Sequence, residues 1–497
     1  MGIVIRQSIW GSLFSYTGVI LGYLATLVLF PKYFSIEEIG LIRLIVSNAM
    51  MFLPLAVVGM NGTWIKIFPY LQETKDLRGK VLSYQLMIVL TTCFCIALVT
   101  TLLKDPLGGL FESKSPLYKD YLYVSLIILI AQALFEFFSS YSTTHLNIIV
   151  PNFLRETLLR IINILDILLF GFGLITFDGF IEILIINYAL STFIIVIYTV
   201  VKQGFRVNFN KLLRKAWRRK INKFSGFILT LGTGGSIISN VGFLITSIFL
   251  GLTENGILTT CIFIGLVIEM PKRIASQIIT PFISTFLKHG DIEELRKTYS
   301  STSVNLFLIG SLIGIGIVTN VVDLFSIIPQ GNEFMAGYWV VVLVVISKVT
   351  NMYFGVSSEI LMYSRYRKLM LNILIITSIL VIISNLVFIP TLGLLGAGIA
   401  YFLPMFISQI VRVFWIRKLF NFPFFVLSHW KTIIPILASL FFALLFNPEM
   451  TIAIKIVVRS MLTTAIFLAL ALPLKISPEL NMTLKKAFDI ILPVRKQ

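Results

Sequence analysis

The chain has 497 residues, 57% of them apolar and only 13% charged, with a formal net charge of +18. Soluble proteins are about a quarter charged, so a mean hydropathy of +0.94 excludes an ordinary water-soluble enzyme. A bilayer-spanning helix takes about 20 apolar residues, and the apolar content suffices for about fourteen of them, leaving too little chain for a further soluble domain of normal size.

The apolar runs fall at 8–30, 40–60, 81–103, 120–144, 157–177, 180–201, 225–250, 257–280, 302–322, 337–358, 369–389, 396–416, 433–446 and 451–473. The first follows Arg6, is longer than a signal-peptide core and lacks an A-x-A site, so it reads as a spanning helix. An even count puts both termini on one side. With the N-terminus inside, the inner loops and tails hold 29 of the 41 Lys and Arg, and the outer loops only Lys32, Lys104, Lys114 and Lys119. Basic residues gather in cytoplasmic loops, so both termini are predicted to be cytoplasmic. The same rule accounts for the positive charge without nucleic acid, for which no zinc-finger or RNA-binding signature is present. Cys93, Cys95 and Cys261 lie inside apolar runs, where neither a disulfide nor a metal is expected.

The stretch 202–224 carries nine Lys and Arg and no acid, together with Phe205, Phe209, Leu212, Leu213 and Trp217. It reads as a linker lying on anionic headgroups or as a contact for a cytoplasmic partner. The predicted organisation is therefore a six-helix lobe over 1–201, the basic linker 202–224, a second six-helix lobe over 225–416, and an additional helix pair with its tail over 417–497. A short repeat crosses the linker. Glu38-Ile-Gly40 follows the first run and Glu254-Asn-Gly256 the seventh, each read as an outer loop that opens the next helix. That placement is expected of a two-lobed transporter built from parallel repeats.

Charges inside a membrane are costly and mark functional sites. Lys348 lies mid-way along the tenth run, about 15 Å from either end at 1.5 Å per residue, on one face with Asn351, Gly355 and Ser358, so it either lines a polar cavity or pairs with a buried acid. Arg43 lies within a turn of the outer end of the second run, free to meet an anion unless it pairs with Glu37 or Glu38. Lys272 and Arg273 follow Pro271 near the inner end of the eighth run. They stand three and four residues beyond Glu269, so they either pair locally or gather an anion, the arginine with bidentate geometry. Glu136, beside Gln132, Ser140 and Thr143, and Asp166, one turn from Asn163, could take up a proton or Na⁺, touch a sugar hydroxyl, or pair with Arg160 or Lys348. Small residues form ridges at Gly11, Ser15, Gly18 and Gly22, and at Gly232, Ser236 and Ser239 beside Asn240. Pro54, Pro271 and Pro404 can bend their helices. Arg160, Arg412 and Lys455 are near enough to helix ends to snorkel, and Arg459 lies deeper, in the appended pair.

Four segments have a familiar look: Phe34-Ser-Ile-Glu-Glu-Ile-Gly40, Ile67-Phe68-Pro69-Tyr70, Ile268-Glu-Met-Pro-Lys-Arg273 followed by Gln277 and Pro281, and Gly393-Leu-Leu-Gly-Ala-Gly398. With fourteen runs and a basic loop after the sixth, the whole chain resembles the Wzx-type polysaccharide (O-antigen) flippases of the multidrug/oligosaccharidyl-lipid/polysaccharide exporter superfamily. The resemblance implies an all-α polytopic membrane protein, with two six-helix lobes in the V-shaped, MATE-like arrangement and a C-terminal helix pair. It implies a multi-pass protein of the cell membrane that moves a polyprenyl-diphosphate-linked oligosaccharide to the outer leaflet by alternating access through a cationic cavity. In that reading Lys348 and Arg43 meet the diphosphate with Asn351 and Asn240 nearby, Lys272 or Arg273 gathers it on the cytoplasmic side, and Glu136 or Asp166 serves coupling or sugar contact. No catalytic residue, metal or cofactor is expected beyond H⁺ or Na⁺ coupling. The expected partners are the lipid substrate, the bilayer and polysaccharide-assembly enzymes. The alternatives are a lipid II flippase, a MATE-type drug/cation exporter, and a membrane polysaccharide polymerase or ligase. The last is disfavoured by short outer loops, by His145, His289 and His429 all falling on the inner side, and by the lack of a nucleophile elbow or Walker motif.

Overall fold

A backbone surrounded by hydrocarbon must satisfy its own N–H and C=O groups, and the helix does this within one segment. The computed structural model describes residue 14 and residues 17–71, 74–145, 147–208, 213–423 and 427–477, and every regular element among them is helical. The main helices are α1 (Thr17–Tyr33), α2 (Ile36–Val57), α3 (Lys75–Leu102), α4 (Leu122–Thr144), α5 (Leu159–Gly171), α6 (Phe177–Gln203), α7 (Lys215–Phe249), α8 (Leu252–Leu266), α9 (Met270–His289), α10 (Ile292–Ile327), α11 (Tyr338–Tyr353), α12 (Arg367–Phe420), α13 (Leu427–Leu445) and α14 (Ile452–Ala471). Ten helices among the described residues are long and apolar enough to cross a membrane. The chain is a multi-pass membrane protein. Arg6 just ahead of the first run, Gly11 and Ser15 within it, Phe209, Lys211 and Leu212 of the basic stretch, and the tail from residue 478 lie outside the described residues.

Several predicted boundaries move, each for a local reason. The turn expected at Phe34–Gly40 is already helix, because Ser35 caps α2. The Ser35 hydroxyl accepts from the Glu38 N–H at 3.2 Å, and the Glu38 carboxylate accepts from the Ser35 N–H at 2.8 Å. Ser35→Ala is expected to cost about 1 kcal/mol, measurable as a lowered thermal midpoint in detergent. The eighth run does not continue through 257–280. A 3₁₀ turn at Val267–Glu269 separates α8 from α9, whose second residue is Pro271, and a residue with no N–H suits a helix start. The tenth run stops at Tyr353, since Gly355 adopts φ +53°. The eleventh and twelfth are one helical stretch, α12, interrupted only at Gly393 with φ 60° and ψ −137°. The fifth is led in by a π-helical turn at Phe153–Leu158.

The chain forms two compact units. One comprises residues up to Thr260 with Val381–Gly393, and the other Cys261–Leu380 with the chain from Leu394 onward. The core of the first unit includes an aromatic cluster in which Phe34 stacks on Phe170 and meets Phe30 and Phe180 edge-on or tilted. Its α2–α7 contact shows how a proline is tolerated in a spanning helix. Pro54 cannot donate to the Met50 carbonyl. The Ser236 hydroxyl of α7 donates to that oxygen instead, at 2.6 Å, and Gly232 leaves room for the ring of Pro54. The ridge Gly18–Gly22 of α1 likewise admits the backbone of Glu156 and the guanidinium of Arg160. In the second unit Gly310 and Gly314 of α10 accept Met352, Val345 and Val349 of α11.

Candidate functional site

The second unit gathers most of the predicted cations in one polar cluster. The break before Pro271 sets Glu269 and Lys272 on either side of a helix start, facing α11. The Lys348 ammonium lies 2.8 Å from the Glu269 carboxylate and 5.3 Å from the ring centre of Tyr401. Lys272 donates to the backbone and side-chain oxygens of Asn351, at 3.0 and 2.8 Å. The Asn351 amide in turn donates to Glu269 at 3.3 Å, so it ties the two lysines' surroundings together. Glu359 accepts from Ser276 at 2.6 Å and from Ser358 at 2.8 Å. It acts electrostatically on Lys272 and Arg412. Lys272 and Lys348 are both buried, whereas Arg273 is exposed.

Two expectations are corrected here. The partner of Glu269 is Lys348 on a neighbouring helix, not a local residue three or four positions on: Lys272 turns to Asn351 instead, and Arg273 is exposed. Lys348 is five residues from the end of α11 rather than mid-span, since Gly355 ends the helix early. The sequence reading also missed Glu359 and Tyr401. Glu359 had a usable signal: an acid flanking an apolar run that already carries a lysine.

In the first unit the candidates are dispersed. Arg43 is the eighth residue of α2, two turns in rather than at its end, because the helix starts at Ser35. Neither Glu37 nor Glu38 pairs with it. Its guanidinium stacks on Phe243 with 4.0 Å to the ring centre, and its buried Nε makes no hydrogen bond. Glu136 pairs with Arg155 at 2.6 Å, not with Arg160 or Lys348; Arg160 is taken by Glu156 at 3.3 Å, one turn away. Asp166 is buried, accepts from the Asn187 amide of α6, and makes no ion pair among the described residues. The buried Asn163 side-chain oxygen, one turn away, makes no hydrogen bond. Asn240 donates at 3.0 Å to the Ser236 carbonyl of its own helix.

No family model and no curated protein matches the chain. Among solved structures it is similar to the lipid II flippase MurJ in an inward closed conformation, with a TM-score of 0.72 and 15% identity over 92% of this chain and 98% of that one. It is similar to an inward-facing multidrug resistance MATE family transporter of the MOP superfamily, with a TM-score of 0.58 and 14% identity over 84% and 98% of the two chains. It is also similar to a MOP superfamily transporter from Pyrococcus furiosus whose binding pocket is described as having reverse polarity, with a TM-score of 0.51 and 14% identity over 84% and 95%. At such identities the likeness is one of fold: this chain has the all-helical fold that the MurJ and MATE transporters share.

Proposed function

We propose that the chain is a flippase for a polyprenyl-diphosphate-linked oligosaccharide, carrying the diphosphate past a cationic cluster that opens to one leaflet and then the other. The observation that carries this reading is the charge imbalance in the second unit. Among the described residues, Lys272, Arg273, Lys348 and Arg412 are set against two carboxylates, Glu269 and Glu359. Charges inside a membrane are stable when matched, and a doubly ionised diphosphate diester supplies the missing negative charge. A drug/cation exporter would need the opposite imbalance. A lipid II flippase, the activity named for one structural neighbour, is the second reading, since the same imbalance would suit any diphosphate-linked lipid. Within this reading Asp166 takes up the driving H⁺ or Na⁺, since its amide partner leaves its charge unmatched.

The test is transbilayer movement of a polyprenyl-diphosphate oligosaccharide in proteoliposomes, followed by access of an impermeant reagent to the sugar. Lys272→Gln and Lys348→Gln are each expected to slow movement about tenfold or more, with elution and thermal midpoint showing that the variants are folded. A Glu269→Gln/Lys348→Gln pair, which removes both charges of one bridge, is expected to fold well and remain slow. Wild-type rates in all three would remove the cluster from the mechanism. No movement of any diphosphate lipid, under H⁺ or Na⁺ gradients of either sign, would remove the flippase.

A further inference from the structure

The first unit contains a cavity of about 440 Å³ that touches none of the charged groups assigned above. It is walled by α2, α3, α4 and α7, all of them membrane-spanning by length and composition, and by the segment between α3 and α4. The wall is hydrocarbon except for Asn48, Cys95, Thr100 and Ser125. Asn48 and Ser125 are already engaged: both hydrogen-bond the Tyr118 hydroxyl, the serine at 2.9 Å. The cavity therefore has a poor grip on a polar group and a good one on a chain. Its edge carries half-exposed apolar side chains, among them Val99 and Leu103, the first on α3, a helix long and apolar enough to span a membrane.

Size narrows the occupant. At about 30 Å³ for each group the size of a water molecule, the space holds about fifteen methylenes. That is one fatty acyl chain; a polyprenyl tail of many isoprene units exceeds it. The rim supplies charges of both signs. Lys104 follows the lining residue Leu103 and lies over the Tyr123 ring at 5.1 Å, while Glu112 follows the lining residue Phe111 and stands 3.8 Å from Lys119. Lys119 runs across Gly108, where a Cβ would meet its side chain at 3.0 Å. Asp105, Lys114 and Asp120 complete a segment with as many acids as lysines. A zwitterionic headgroup matches that balance: phosphate toward Lys104 or Lys119, ammonium toward Glu112.

We propose that this cavity holds one acyl chain of a bilayer phospholipid with a zwitterionic headgroup, phosphatidylethanolamine being the probe of that chemistry. The inference does not depend on what the protein transports. The test is native mass spectrometry of the full chain released from nanodiscs of phosphatidylethanolamine, of phosphatidylglycerol, or of either with added polyprenyl phosphate. One retained phosphatidylethanolamine per chain is expected. Val99→Trp and Cys95→Trp, which place a large side chain in the cavity from its accessible edge, are expected to lower that retention about tenfold. Lys348→Gln is expected to leave it unchanged, and thermal midpoints establish that the tryptophan variants are folded. Unchanged retention in both folded tryptophan variants would overturn the site. Preferential retention of phosphatidylglycerol, or of polyprenyl phosphate, lost in the same variants, would overturn the assigned occupant.

Discussion

Arg459→Met is expected to lower the thermal unfolding midpoint of the detergent-solubilised protein by about 10 °C, an effect on the order of 3–5 kcal/mol. Arg459 is buried in α14, and all three of its guanidinium nitrogens are used. One meets Asp323 at 2.7 Å and the Thr319 carbonyl at 2.7 Å, another meets Asn447 at 3.0 Å, and Nε meets the Phe446 carbonyl at 3.1 Å. Lys455 holds the other oxygen of Asp323 at 2.8 Å. Methionine fills similar space but leaves a buried carboxylate with one cation and several acceptors without donors, and unsatisfied groups in a low dielectric are expensive. Asp323→Asn combined with Arg459→Met removes the stranded charge as well, so the double change is expected to cost less than the sum of its parts. A shift of only about 2 °C for Arg459→Met would show that the cluster does not hold α14 to α10.

Gly40→Val and Gly256→Val are each expected to cost about 3 kcal/mol or more, seen as lost folded yield and a midpoint lower by about 5–10 °C. A Cβ at Gly40 would lie 1.8 Å from the Leu252 carbonyl oxygen, and one at Gly256 would lie 2.2 Å from that of Ile36. Those obstacles are backbone, so no side chain can rotate out of the way. α2 and α8 would have to part by more than about 1 Å, losing packing contacts whose attraction falls steeply with such a gap and the 2.9 Å bond from the Asn255 amide to the Gly40 carbonyl. Gly316→Ala provides the contrast, because nothing lies within 4 Å of a Cβ there. It is expected to be neutral or to stabilise by about 0.4–1 kcal/mol. Equal losses at Gly316 and Gly40 would mean that close approach is not the reason for the glycine.

The existence and order of the spanning helices were legible because apolar length is a signal the bilayer imposes on every span. Breaks inside a run were less legible, since they depend on single residues. The 3₁₀ turn before Pro271 and the positive φ of Gly355 each break a helix that hydropathy alone continues, while Gly393 interrupts α12 without a loop. The Ser35–Glu38 box was readable from its spacing but was assigned to a turn. For the site, a lone lysine in an apolar run drew attention to Lys348, which is buried and paired with an acid, the alternative to a cavity-lining cation. Its partner was not readable, because Glu269 and Lys348 are brought together by the packing of α11 against the 3₁₀ turn, a contact between distant parts of the chain. Glu136 shows the same limit: the acid was found, and its partner Arg155 was overlooked because the π turn carries helical geometry back beyond the apolar run.

The glycines of the repeated Glu-x-Gly motif have a further consequence. Gly40 faces the carbonyl four residues before Gly256, and Gly256 faces the carbonyl four residues before Gly40. Each motif thus presents the same surface to the other, the arrangement of a two-fold symmetric dimer interface, here within a single polypeptide. In a true dimer one codon would set both sides of such a contact, and any new side chain would meet its own copy. Joined in one chain, the two sides are free to differ, and they do: Asn255 reaches across to the Gly40 backbone, while the side chain of its counterpart Ile39 has no polar atom with which to return the bond. The contact keeps a symmetric backbone and an asymmetric chemistry, so equivalent substitutions at residues 39 and 255 need not have equal effects even though those at 40 and 256 should.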